Sequence, residues 1–187
     1  QEEGDKRRGI MVGFALAGLQ RRLASSPAAI YHSLRRRSER LKTQADELRH
    51  LAATGEPIPI MELPKGVRIG DLEDFDFDDY ADDELENLED FVIDAASAAA
   101  TAEELDIEVA ELEVLVKLAD DVRNSAVDTK WIELRDLLRS DQFRGEDSSG
   151  KLIVFTEHKD TLTYLTERIT AELGRPEAVV TIHDGVK

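Results

Sequence analysis

The last 37 residues constrain this chain more than any other stretch. Leu152, Ile153, Val154 and Phe155 form an unbroken apolar run, the composition of a strand covered on both faces in a parallel sheet. Thr156 and Glu157 end it, and the apolar period then changes: Leu162, Leu165, Ile169 and Leu173 fall three or four apart, the stripe of an amphipathic helix packed on that sheet. Gly174 supplies a helix stop and Pro176 prevents continuation. Ala178, Val179, Val180 and Ile182 read as a second buried strand. The pattern predicts a β-α-β unit with a right-handed crossover, over residues 151–187. One such unit is the start of a sheet and not a finished domain, so a chain running from Gln1 to Lys187 is expected to be a piece of a longer protein. Its bare sheet edge would invite pairing between copies, a dimer without biological meaning.

Open parallel sheets place ligands where loops leave the strand tips and helices present unpaired N–H groups. Two loops qualify, Thr156 to Lys159 and His183 to Lys187. Lys159 sits at the amino end of a helix, where a cation is disfavoured, and so is better placed for a phosphate than for helix stability. Thr156 and Glu157 serve equally well as caps for the same helix. For His183, after a buried strand, a structural hydrogen bond is the default.

Upstream the chain reads as helical. Residues 1–54 form a basic helical region, in which Ser25 or Ser26 caps a helix with Pro27 at its first position. Leu34, Leu41 and Leu48 recur every seven residues with Tyr31, Ala45 and Ala52 beside them, a coiled-coil-like seam. Residues 55–82 read as an acidic extended linker whose Phe75, Phe77 and Tyr80 are expected to dock on the helices. Residues 83–140 read as a helical hairpin region. Thr101 and Glu104 make a capping-box signature, and Leu105, Val109, Leu112, Val116 and Ala119 are spaced to pack antiparallel against the leucine seam. A last helix, capped by Asp128 or Thr129, carries Trp131, Leu134, Leu137 and Leu138. Residues 141–150 form a loop.

Charge divides these regions. Residues 1–53 carry 11 Lys/Arg against 6 Asp/Glu, a net of +5, whereas residues 54–121 carry 3 against 23, a net of −20. Arg35, Arg36 and Arg37, with Arg40, Arg21 and Arg22, are therefore the basic surface available to a nucleic-acid backbone, unless they pair with the acidic segment. The chain has no cysteine, which excludes disulfides, thiolate zinc sites and thiol catalysis. His32, His50, His158 and His183 lack metal-ligand spacing, so no metal site is expected. The absence of a secretory pattern or a long apolar run implies a soluble, cytoplasmic protein that does not enter a membrane.

The segments GKLIVFTEHKDTLTYLTERI and TIHDGVK resemble the opening of the second motor lobe of superfamily-two helicases, in the Swi/Snf-like branch. The resemblance implies a RecA-like lobe whose Phe-Thr-Glu strand end is helicase motif IV. It also implies that Thr156, His158, Lys159, His183 and Gly185 face nucleic acid. Asp184 replaces the first glycine of the family's Ile-His-Gly-Gly turn, placing a carboxylate where a phosphate would approach. LQRRLASSPAAIYHSLRRRSERL, residues 19–41, is similar to the helical region that links the two lobes. Gly145, Gly150 and Lys151 reproduce GxxxxGK, but Leu152 stands where Ser or Thr should hold magnesium, and the motif precedes a strand when it should follow one.

The chain is thus expected to be mainly α with a short α/β carboxyl-terminal unit. In function it reads as part of an ATP-dependent DNA helicase or translocase, itself without catalytic residues or a bound cofactor. The resemblance implies ATP and Mg for the parent protein, its remaining lobes as partners in cis, and double-stranded DNA as the ligand. The alternative is a helical interaction or scaffold module with no nucleic-acid role.

Overall fold

The computed structural model describes residues 2–57, 69–72, 75, 82–97, 101–125, 127–140, 143 and 150–183. Its helices are α1 (Glu2–Ser25), α2 (Pro27–Thr54), α3 (Asp82–Ala95), α4 (Ala102–Asn124), α5 (Thr129–Leu138) and α6 (Lys159–Leu173), with 3-10 turns at Ile69–Leu72 and Pro176–Ala178. Ser26 separates α1 from α2. Its backbone is extended and its Oγ accepts from the Ala29 N–H at 3.0 Å, while Pro27 takes the first helical position without needing a donor. Gly55 closes α2 in the left-handed region (φ 75°), its N–H bonding to Leu51 O.

The main core lies between α2 and α4. Leu34, Leu41 and Ala45 bury against Leu105, Val109, Leu112 and Ala119, with Leu48 and Val116 at the margin. Arg123 stacks over Tyr31 at one end and Arg49 pairs with Asp106 at the other, so the two helices run antiparallel. Thr101 and Glu104 form both bonds of a capping box and fix where α4 begins. Ala52, expected in the seam, is exposed, because α4 starts level with the last turns of α2 and no described residue lies over it.

A second core sets α3 and the linker on α1. Phe14, Leu72, Leu88 and Val92 bury together, and Phe75 meets Phe14 edge-on at 5.1 Å. Phe75 thus anchors the linker; Phe77 and Tyr80 lie outside the described residues. The joint between α5 and α6 is polar and aromatic. Tyr164 donates to Asp128 at 2.6 Å, Asp128 also caps Trp131, and Arg168 lies over both rings. Burial, reinforced by the bond to Asp128, pushes the Tyr164 phenol well above its ordinary range.

The β-α-β unit is not formed. Among the described residues there is no strand: 151–157 and 179–183 lie outside any ladder, and only α6 between them is regular. An apolar run becomes a buried strand only where neighbouring strands bond its N–H and C=O groups and layers cover its faces. Neither segment finds such a neighbour, and Ile153, Phe155, Val180 and Ile182 are from 75% to 90% exposed. Consequently α6 does not lay its Leu162, Leu165, Ile169 and Leu173 stripe on a sheet; those residues are half-buried and Thr161 and Tyr164 are the buried ones. No RecA-like parallel sheet is present among the described residues, nor the sheet edge expected to pair two copies. Every regular element among the described residues is helical, and no helix among them is long and apolar enough to cross a membrane.

Candidate functional site

The loop from Thr156 to Lys159 is held against the helical body by contacts on both sides of it. Arg21 donates to Glu157 at 2.9 Å, and Arg36 donates to Asp160 in the first turn of α6 at 3.0 Å. One residue further, the buried Thr161 hydroxyl lies 2.8 Å from both Ser25 Oγ and Ser26 Oγ, at the break between α1 and α2. Three expected site residues, Thr156, His158 and Lys159, therefore share one loop clamped to the α1–α2 corner.

Their environments differ. Lys159, the first residue of α6, is exposed. Thr156 is half-buried, and its Oγ1 and His158 Nε2 are buried with no hydrogen-bond partner among the described residues. His158 occupies the N-cap position of α6 without capping it through its side chain. Burial lowers the imidazole pKa; Glu89 opposes this, and Arg22 and Arg21 add to it. The His158 ring thus belongs to the interior. His183 is half-buried, while Gly185 and Asp184 lie outside the described residues.

The arginine triplet diverges. Successive helical residues point about 100° apart, so three in a row cannot address one strand. Arg35 pairs with Glu39 on its own helix, Arg36 reaches Glu86 and Asp160, and Arg37 donates to Glu108 on α4. Only Arg36 joins the Thr156–Lys159 loop. Arg40 is likewise engaged, by Asp90 and Asp94; burial raises the Asp94 pKa, and the hydrogen bond from Arg40 works against that rise.

Beneath this loop lies a feature the sequence reading passed over. Arg22 and Glu89 are buried to 2% and 1% exposure. Glu89 Oε2 accepts from Arg22 Nε at 3.1 Å and Nη2 at 3.0 Å, and Oε1 accepts from Arg21 at 3.2 Å; Arg22 Nη1 donates to Ser33 at 2.6 Å and lies 3.0 Å from Asp90. Gly18 makes room for it, since a Cβ there would stand 3.1 Å from Glu89 Cδ. The signal was available: Leu85, Leu88 and Val92 put Glu89 on the apolar stripe of α3, and a carboxylate there requires a buried cation.

A cleft of about 580 Å³ opens beside the loop, lined among others by Arg21, Ser25, Trp131, Phe155, Thr156 and Tyr164. Among the described residues no group of three His, Asp or Glu side chains could hold a metal ion. Gly150 and Lys151 lead into an extended segment and not a helix, and Leu152 offers no hydroxyl to a cation. No protein-family model matches the chain, and no curated protein or solved structure is significantly similar to it.

Proposed function

We propose that this chain is the lobe-linking helical region of a Swi/Snf-like, superfamily-two ATP-dependent motor acting on double-stranded DNA, with no ATP hydrolysis of its own. The observation that carries this reading is the clamping of the Thr156–Lys159 loop, the segment similar to helicase motif IV, and of the first turn of α6 after it onto the α1–α2 corner, through Arg21–Glu157, Arg36–Asp160 and the Ser25 and Ser26 hydroxyls beside Thr161. A motor that moves by closing two lobes needs rigid elements that pass displacement from one lobe to the other. Helices joined to a nucleic-acid-facing loop by ion pairs and hydroxyl bonds meet that need. In this reading the exposed Lys159 grips a phosphate backbone without reading sequence. The residues that bind ATP and magnesium are supplied from outside residues 1–187.

A polypeptide carrying residues 1–187 together with both motor lobes tests the reading. Its ATPase is expected to rise with double-stranded DNA, and Arg21→Ala with Arg36→Ala is expected to lower the DNA-stimulated rate far more than the basal rate. An ATPase indifferent to DNA would overturn the proposal. Residues 1–187 alone are expected to hydrolyse no ATP.

The scaffold alternative is favoured by a different observation. Arg36, Arg37 and Arg40 are all committed to carboxylates of α3, α4 or α6, so a phosphate would have to displace them. DNA binding by the chain separates the two readings. A phosphate-binding loop gives affinity that falls steeply with salt and drops on Lys159→Ala, whereas a scaffold shows neither.

A further inference from the structure

We infer that the outer face of α4 is a docking surface for a basic amphipathic helix of a partner protein. The helix is apolar on two opposite sides. Leu105, Val109, Leu112 and Ala119 bury against α2, while Ile107 (63% exposed), Val114 (68%), Leu115, Leu118 (59%) and Val122 form a second stripe that no described residue covers. At about 100° per residue, Ile107, Val114 and Leu118 stand about half a turn from the buried set, and Leu115 and Val122 widen the stripe along one flank. A surface helix needs one apolar stripe, and a helix apolar on both sides belongs between two layers. The outer stripe runs from Ile107 to Val122, about 24 Å at about 1.5 Å per residue, long enough to seat four turns of another helix.

Charge identifies the occupant. Asp106, Glu108, Glu113 and Asp120 are already neutralised, by Arg49, Arg37, Lys42 and Arg123. Glu103 and Asp121 remain exposed beside the outer stripe and Glu111 within it, against Lys117. The rim is therefore negative. Two copies of this chain meeting there would bring these carboxylates together, and a net charge of −17 opposes their approach. A helix with Leu or Ile every three or four residues, flanked by Lys and Arg, matches both the stripe and the rim.

The test uses a fluorescent synthetic helix of about 18 residues, with leucines at that spacing and Lys/Arg flanks, titrated into the intact chain and followed by anisotropy. Saturable binding is expected, with weaker binding of a Glu-flanked version and none of a sequence-permuted peptide of the same composition. The double variant Val114→Ser, Leu118→Ser should lose at least about tenfold in affinity, because the apolar contact area is removed. Both positions are exposed, so its helical circular dichroism and urea midpoint should match the parent chain and keep a folding defect from mimicking lost binding. Equal binding of the permuted peptide, or unchanged affinity of the double variant, overturns the inference. So does sedimentation showing dimers of the chain that the same double variant abolishes, which would assign the face to a second copy.

Discussion

Arg22 and Glu89 are coupled strongly enough to be read by a double-mutant cycle. Arg22→Met removes two hydrogen bonds to Glu89 and one to Ser33, leaving a carboxylate of 1% exposure with Arg21 as its remaining donor. Breaking a buried pair from one side costs about 3–5 kcal/mol, and the Arg21 bond at 3.2 Å keeps this case near the lower end. Glu89→Met strands the buried guanidinium by the same logic, although Asp90 at 3.0 Å relieves part of the charge. The double variant leaves neither ion unpaired, and apolar replacement of a whole buried pair is often close to neutral. A coupling energy of about 2–3 kcal/mol follows, large beside a total stability of about 5–15 kcal/mol. Urea unfolding followed by circular dichroism at 222 nm provides the measurement, with each midpoint converted through a shared m-value. Single-variant losses that simply add in the double variant, to within about 0.5 kcal/mol, would show that the two residues do not act as one unit.

Three further outcomes are expected. Gly13→Ala, with open space around its Cβ, should stabilise α1 by up to about 1 kcal/mol, while Gly18→Ala should lose that gain and more, because Arg21 and Arg22 pin the Glu89 side chain that its Cβ would crowd; thermal melts of the two variants compare them directly. Leu41→Ala, at 0% exposure in the α2–α4 core, should cost about 2–5 kcal/mol in urea unfolding, whereas Leu118→Ala on the bare face of α4 should cost far less. Stability should decline as pH falls below about 6.5, the unfolded histidine value, because burial depresses the folded pKa of His158 and of His32, so the unfolded chain takes up protons first; His158→Gln should flatten the urea midpoint between pH 7 and pH 5.

Legibility in the sequence followed periodicity closely. The seven-residue recurrence of Leu34, Leu41 and Leu48, the 4-3 spacing from Leu105 to Ala119 and the Thr101–Glu104 box are local patterns, and each reports the face of one element. A face is enough to pair α2 with α4. Leu152 to Phe155 failed because an apolar run reports only the wish to be covered, and the partner that would make it a strand is not a local property. The arginine triplet misled for a geometric reason: consecutive letters look like a patch, yet a helix sends them to Glu39, Asp160 and Glu108 on three sides. Glu89 was hidden by its class. Counted as one more acid in an acidic segment, it lies on the stripe of Leu85, Leu88 and Val92, where position outweighs composition.

The opposed charges of residues 1–53 and 54–121 have a use that their sum conceals. Arg21, Arg22, Arg36, Arg37 and Arg40 reach Glu86, Glu89, Asp90, Asp94 and Glu108, so the basic helices are zipped to the acidic ones from within the chain. Apart from Arg22–Glu89 these pairs are partly buried, so salt screens them in part, more than a fully buried pair and less than a fully exposed one. The Arg22–Glu89 pair is buried and screened far less. Raised salt should therefore loosen the outer zipper while the hub holds the α1–α2–α3 corner, freeing Arg36, Arg37 and Arg40 under the very conditions that weaken attraction for phosphate. An intramolecular carboxylate and a phosphate compete for the same guanidinium groups and lose strength together. The loop at Thr156–Lys159 is part of the same competition, since Arg21 holds Glu157 and Arg36 holds Asp160; Lys159, exposed at the head of α6, is the cation there whose grip on phosphate Lys159→Ala tests.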